Sequence, residues 1–286
     1  VHAEGSSIYL KKGEKMSIND LVYGLMLRSG NDAAIAISEH VGGSVEGFVH
    51  LMNEKAQWLG MTDTHFTNPH GLDNENHFSS AYDMAILMRY ALENDVFRKI
   101  TGTRSHKAEN QLYTWQNKNK LLTSYYDYCI GGKTGYTRKS GRTLVSAAKK
   151  GKMELIAVTL NAGDDWRDHI QLYDWGFNQF SLTKVDTKGK HKYEIEQIAE
   201  PITGVTKDNI YLPLKKDEKI TKQTKIDERA LENNDTIIGK TTYYINDKAE
   251  KIIPIYHSPD VQQKDMPFFY LLQESVKHMI GIGFKW

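Results

Sequence analysis

Apolar residues in this chain change their period once, and that change constrains the fold more than any single motif. Early in the chain they recur at the three-and-four spacing of helices; from Gly132 they run in the short blocks of strands. Ser17-Ile18-Asn19-Asp20 reads as a helix start, with Ser17 as the cap and Asp20 placed to answer it, and Leu21, Leu25 and Arg28 follow at helical spacing. Gly30 interrupts the pattern, Ala33, Ala34, Ile35 and Ile37 resume it, and Gly42-Gly43 stops the second helix. Ser44 caps a third, with Phe48, Leu51, Met52, Lys55, Ala56 and Leu59 on one face and Gly60 at its end. A fourth begins at Ser80-Ala81-Tyr82-Asp83 and carries Met84, Leu87, Met88, Ala91 and Leu92. Between these two, Thr67-Asn68-Pro69-His70-Gly71-Leu72-Asp73 has the composition of a loop.

Beyond Gly132, residues 143–148 and 153–160 read as strands joined by a turn at Lys150-Gly151-Lys152, and a helix is expected from about Asp165 to Phe177. The combination predicts an α+β arrangement, an antiparallel sheet flanked by helices, over residues 1–181. After Ser181 come short alternating segments, such as 193–198 and 241–245, which predict a small all-β domain over 182–260. From Met266 the tail is amphipathic, with Phe268, Phe269, Leu271, Leu272, Val276, Met279 and Ile280 interleaved with Glu274, Lys277 and His278. A C-terminal helix over 261–286 can lie flat on a membrane surface or pack on its own domain, and periodicity alone leaves both open.

Thirty-seven basic against 36 acidic residues give a net charge of +1, so no overall field recruits nucleic acid or an anionic bilayer. A single cysteine, Cys129, excludes an intramolecular disulfide and a multi-cysteine zinc site. The 11 histidines form no His-Glu-x-x-His pattern, so neither a metal nor a cofactor is expected. No apolar run approaches the roughly 18 to 20 residues that span a bilayer. Val1-His2-Ala3-Glu4-Gly5 carries neither an initiator Met nor a signal pattern, so the start is expected to be processed, cleaved or cropped.

Two short motifs carry chemistry. Lys133-Thr134-Gly135 opens a strand, and Ser29-Gly30-Asn31 sits at a break between helices. Each alone has a bland explanation, a surface turn and a helix stop. In this order and setting they are two of the three elements of a serine acyl-transfer site. Such a site needs an activated serine, a proton route to the leaving amine, oxyanion donors and a clamp for the substrate carboxylate. Lys133 supplies positive charge, Thr134 a hydroxyl for that carboxylate, Gly135 close backbone approach, and Tyr136 a backbone amide for the oxyanion. Ser29 is a candidate proton shuttle, and Asn31 can hold a substrate amide carbonyl through its side-chain amide. Neither has useful basicity near neutral pH, so the base must be a lysine of lowered pKa, one that belongs to the third element and not to these two motifs.

The third element, Ser-x-x-Lys, belongs upstream of Ser29, and residues 1–28 contain none. Ser146-Ala147-Ala148-Lys149 falls in a strand, where residues three apart point to opposite faces, and Ser181-Leu182-Thr183-Lys184 falls at the domain junction. Cys129 precedes the Lys-Thr-Gly strand without an identifiable His partner and reads as a buried structural cysteine. Gly131-Gly132-Lys133-Thr134 is not a phosphate-binding loop, because residue 128 is Tyr where Gly is required.

Five ordered blocks carry a wider resemblance: Gly5-Ser6-Ser7, residues 27–34, residues 68–73, residues 80–83 and residues 132–137. Through them the chain resembles the low-molecular-mass penicillin-binding proteins, specifically the serine-type D-alanyl-D-alanine carboxypeptidases, across essentially its whole length. That resemblance implies a β-lactamase/transpeptidase-like domain, a β-rich second domain, and a C-terminal membrane anchor. It also implies export to the outer face of the cytoplasmic membrane, a peptidoglycan stem peptide ending in D-Ala-D-Ala as substrate, and β-lactams as inhibitors. By the same matching, Arg167 falls where the family places an arginine near the substrate carboxylate, and Lys118 where some relatives carry a cleft arginine. The chain as it stands is then expected to lack its nucleophile, and a non-catalytic wall-binding homologue that keeps the cleft is the alternative. A class A β-lactamase would need a Glu-x-x-Leu-Asn loop, which is missing from the sequence.

Overall fold

The structure, a computed structural model, describes residues 4–109, 113–195, 198–233 and 235–258, so the expected tail helix over 261–286 lies outside the described residues. The chain divides into two compact units, Val1–Ser181 and Leu182–Trp286. Among the described residues, no helix is long and apolar enough to cross a membrane.

In the first unit, serine caps start three of the helices. Ser17 Oγ accepts the Asp20 N–H ahead of α1 (Ile18–Arg28), and Ser44 Oγ accepts the Gly47 N–H ahead of α3 (Val45–Trp58). Ser80 does the same for Asp83 ahead of α4 (Ala81–Ala91). Between α1 and α3 runs α2 (Asn31–Gly42), which ends on Gly43 in the left-handed region. Asp20 does not return a bond to the Ser17 backbone. Its Oδ2 takes the Ser17 hydroxyl, and its Oδ1 meets His106 Nε2 at 2.6 Å, so the carboxylate ties α1 to a distant segment. Along α3, Leu51 is 44% exposed and Ala56 is the one fully buried residue, so the apolar period marked the helix but not its cover.

Sequence periodicity did not foresee α5 (Asp95–Thr101), the ribbon of β1 (Ser105–His106) with β2 (Trp115–Gln116), or a π-helical turn at Leu121–Tyr125. A three-stranded antiparallel sheet follows in the order β3 (Cys129–Thr137), β4 (Gly141–Lys150), β5 (Met153–Leu160), and then α6 (Asp165–Gln179). Alternation along β4 gives the sheet two covered faces. Leu144 packs with Leu121, Leu122, Trp166 and Ile170 on the α6 side, and Ala147 packs with Met88, Leu92 and Phe97 on the α4 and α5 side. A separate core of Ile8, Leu21, Leu27, Ala33, Ile37 and Trp115 fixes α1 against α2.

The second unit holds a five-stranded sheet of order β10 (Ile220–Ile226), β11 (Ile237–Ile245), β12 (Lys248–His257), β8 (Ile198–Thr206), β7 (Gly189–Ile195). A β6 (Ser181–Asp186) and β9 (Ile210–Leu214) pair and a short α7 (Glu228–Glu232) complete it, around Ile210, Leu212 and Tyr243. The segment expected as one strand over 193–198 spans the end of β7 and the start of β8, since Glu196-Gln197 offers no turn residue to mark the break.

Candidate active site

The α1 helix stops at Ser29, which takes the left-handed conformation, φ 60° and ψ 41°. Its N–H bonds Leu25 O at 3.0 Å and the Gly30 N–H bonds Gly24 O at 3.3 Å, the wrapped closure that glycine usually provides. A serine in this position costs about 1 kcal/mol or more in backbone strain. The strained turn presents the Ser29 hydroxyl to Lys133, whose ammonium donates to Ser29 Oγ at 2.5 Å. Asn31 opens α2 with its N–H on Ser6 O at 2.8 Å and its Nδ2 on Glu4 O at 2.6 Å. The side-chain amide expected to hold a substrate carbonyl is therefore bonded to the chain's own N-terminal segment.

Lys133 sits on β3, an edge strand whose sheet partner among the described residues is β4 alone. Gly131 and Gly132 adopt φ 151° and 156°, and a Cβ on either would collide with Thr101 or with the β4 backbone. That close approach lets the buried Thr101 hydroxyl accept the Gly132 N–H at 2.9 Å and donate to its carbonyl at 3.1 Å. Gly132 thus directs both backbone groups away from β4. Since the register with β4 runs unbroken from Gly132 to Thr137, Thr134 and Tyr136 direct theirs the same way. The Thr134 carbonyl is bonded by the Lys133 ammonium at 2.6 Å. Of the three donors of that ammonium, two are engaged and one remains for a ligand. Tyr136 projects a 71% exposed side chain at the same edge.

Burial pushes the Lys133 amine down to about 8, helped by the positive charge of Lys118. Lys118 is itself lowered by burial and by Arg28, and its ammonium donates to Ser6 Oγ at 3.2 Å. Lys118 and Arg28 thus extend a line of positive charge away from the Lys133 ammonium, which alone meets the Ser29 hydroxyl. Asp32 organises the segment opposite: its carboxylate accepts from Ser7 Oγ at 2.6 Å and from the amides of Ile8, Leu10 and Ala33, each at 3.0 Å. Desolvation works to raise that carboxyl, and these four hydrogen bonds outweigh it and hold the group below the ordinary range.

Arg167 is not brought to this cluster by any contact. It pairs with Asp164 at 3.1 Å on the exposed start of α6. Ser146 lies on β4, fully buried, 2.7 Å from both His169 Nδ1 and the Tyr173 hydroxyl, while Lys149 pairs outside with Glu154 at 2.8 Å. Ser181 and Lys184 lie on β6. Burial raises the Cys129 thiol to about 11, which leaves it without thiolate at neutral pH. Among the described residues, no group of three or more His, Cys, Asp or Glu converges on a metal position. Sequence reasoning gave no role to Thr101, Asp32 or Ser6: Thr101 bonds Gly132, Asp32 holds the amides of Ile8 and Leu10, and Ser6 meets both the Asn31 N–H and the Lys118 ammonium.

Comparison with known proteins gives the arrangement its relatives. The family model for D-alanyl-D-alanine carboxypeptidases, peptidase S11, matches residues 1–164. The chain is 36% identical over 248 residues to D-alanyl-D-alanine carboxypeptidase DacF of Bacillus subtilis, covering 76% of this chain and 64% of that one. It is 41% identical over 180 residues to DacC of Escherichia coli, covering 62% and 45%. The chain therefore spans less than two thirds of the length of these curated relatives. Penicillin binding protein 5 from Haemophilus influenzae superposes with a TM-score of 0.72 at 26% identity, covering 88% of this chain and 77% of that one. By the extent of the family match and the shared fold, the chain belongs to the D-alanyl-D-alanine carboxypeptidase family, peptidase S11.

Proposed function

We propose that the protein removes the terminal D-alanine from peptidoglycan stem peptides through a serine acyl-enzyme, and that β-lactams acylate the same serine. The observation that carries this reading is the 2.5 Å contact between the Lys133 ammonium and the Ser29 hydroxyl at the open edge of β3. In acylation, a serine oxygen bonds to the carbonyl carbon of the penultimate D-Ala, the C–N bond breaks, and the departing amine takes a proton. Water then cleaves the ester and releases the shortened peptide. Ser29 stands where a proton can pass to that amine, and Lys133 with Thr134 holds the terminal carboxylate. Gly135 lets the peptide approach the strand, and the Tyr136 N–H meets the oxyanion. Asn31 reaches the peptide only if its side-chain amide leaves Glu4 O, Lys118 adds positive charge beside Lys133, and Arg167 meets the carboxylate only if its side chain leaves Asp164.

The nucleophile must come from a Ser-x-x-Lys pair on a helix, and both such strings in residues 1–286 lie on strands. The same reading makes 182–260 a separate domain and 261–286 a membrane-surface anchor, with the enzyme working outside the cytoplasmic membrane. The native-length protein, incubated with fluorescent penicillin and with a D-Ala-D-Ala pentapeptide, should label covalently and release one D-alanine per peptide. A native-length protein that binds the peptide but stays unlabelled is the non-catalytic wall-binding homologue instead.

A further inference from the structure

The β3 strand is held at two points besides its ladder with β4. At one end Thr101 engages Gly132, as described above. At the other, the Thr137 hydroxyl donates to Asp73 Oδ1 at 2.7 Å, and Asp73 Oδ2 accepts the Lys139 N–H at 3.4 Å. The same hydroxyl accepts the Ser140 N–H at 2.9 Å and lies 2.6 Å from Ser140 Oγ, so it knots the turn between β3 and β4. Asp73 has a firm base to hold from. It closes a loop in which Asn68 Oδ1 accepts the Gly71 N–H at 2.7 Å and Asn68 Nδ2 donates to Leu72 O at 3.0 Å.

We propose that Asp73 is a positioning residue for acyl transfer: through Thr137 it fixes the end of β3 and aims the adjoining Tyr136 N–H at the developing oxyanion. The assignment rests on the carboxypeptidase reading given above. An oxyanion donor acts only when it is held where the charge develops, and Tyr136 itself is exposed and packs little. Its neighbour Thr137 is tied by its side chain, and the tie is a carboxylate brought from 64 residues away. Asp73 is exposed, so removing its carboxylate uncovers no core.

Steady-state kinetics of the native-length protein test this. Asp73→Ala should lower kcat about ten- to hundred-fold, with KM within about twofold, because a misplaced donor is felt in the transition state more than in the ground state. Asp73→Asn keeps an oxygen for the Thr137 hydroxyl and should recover kcat to within about threefold. Wild-type kcat in Asp73→Ala, an equal loss in both variants, or a loss that follows a fallen melting temperature would each overturn the proposal. If the wild type turns over no D-Ala-D-Ala peptide, the carboxypeptidase reading fails separately. The clamp is then read from hydrogen exchange of the Ser140 amide, which is bonded to the Thr137 hydroxyl that Asp73 holds. Asp73→Ala should speed it about tenfold or more, and an unchanged rate refutes the clamp.

Discussion

In its proposed role Lys133 combines two opposed demands, since its ammonium must be charged to hold a carboxylate and yet sits where burial and Lys118 favour the neutral amine. At a folded-state value of about 8 against the ordinary 10.5, the folded chain binds fewer protons than the unfolded one between those limits. The penalty is therefore full below about pH 8 and is relieved as pH rises through about 8 towards 10.5. Binding moves the other way. Affinity for an N-acyl-D-Ala-D-Ala peptide, measured by calorimetry from pH 6.5 to 10, should weaken above about pH 8 as the ammonium discharges. Lys118→Met should move that break upward, because the second cause of the lowered value is gone. A flat profile, or a break that Lys118→Met leaves in place, contradicts the assigned role of Lys133.

Among the elements, the α1 terminus shows a trade between stability and chemistry. Ser29 occupies a position that glycine fits without strain, so Ser29→Gly should raise stability by about 1 kcal/mol in urea denaturation while lowering turnover about a hundredfold or more. A variant neither more stable nor less active would leave the serine as an accidental cap. The helices that sequence revealed best are those with a serine cap bonded three residues ahead, at Ser17, Ser44 and Ser80, because cap and apolar stripe are both local signals. The pairing of Ser29 with Lys133 was legible for a different reason: two weak triplets stood in the right order on the right kinds of element. Thr101 left no such trace, and Asp32 and Asp73 stood in noticed blocks that gave no sign of what they bond. Their partners lie 31, 24 and 64 residues away, and a hydrogen bond over that range has no period. Nor did anything in the sequence mark Asn31 as bonded to Glu4 O, because that contact depends on how residues 4–8 are laid over α2 by Asp32.

On the scale of the whole molecule, the chain's single cysteine is a built-in reporter. Cys129 is buried between Leu121, Leu122 and Leu144, with its thiol raised to about 11. An aromatic disulfide reagent at pH 8 should therefore leave the native protein almost unmodified and titrate one thiol per chain in guanidinium. Rapid reaction of the folded protein would show that the packing of α6 over the sheet opens readily. The open edge of β3 carries one more consequence. A bare sheet margin is ordinarily an invitation to polymerise, since any extended chain can zip along it. Here the margin is closed at Gly132 by Thr101 and the strand ends at Thr137, which leaves a stretch of about 17 Å. A lysine stem crosses it, bonded to the carbonyl of Thr134. So short a vacancy can seat the end of a peptide but gives a neighbouring sheet too few rungs to climb, and the molecule keeps an exposed strand without the hazard of fibre growth.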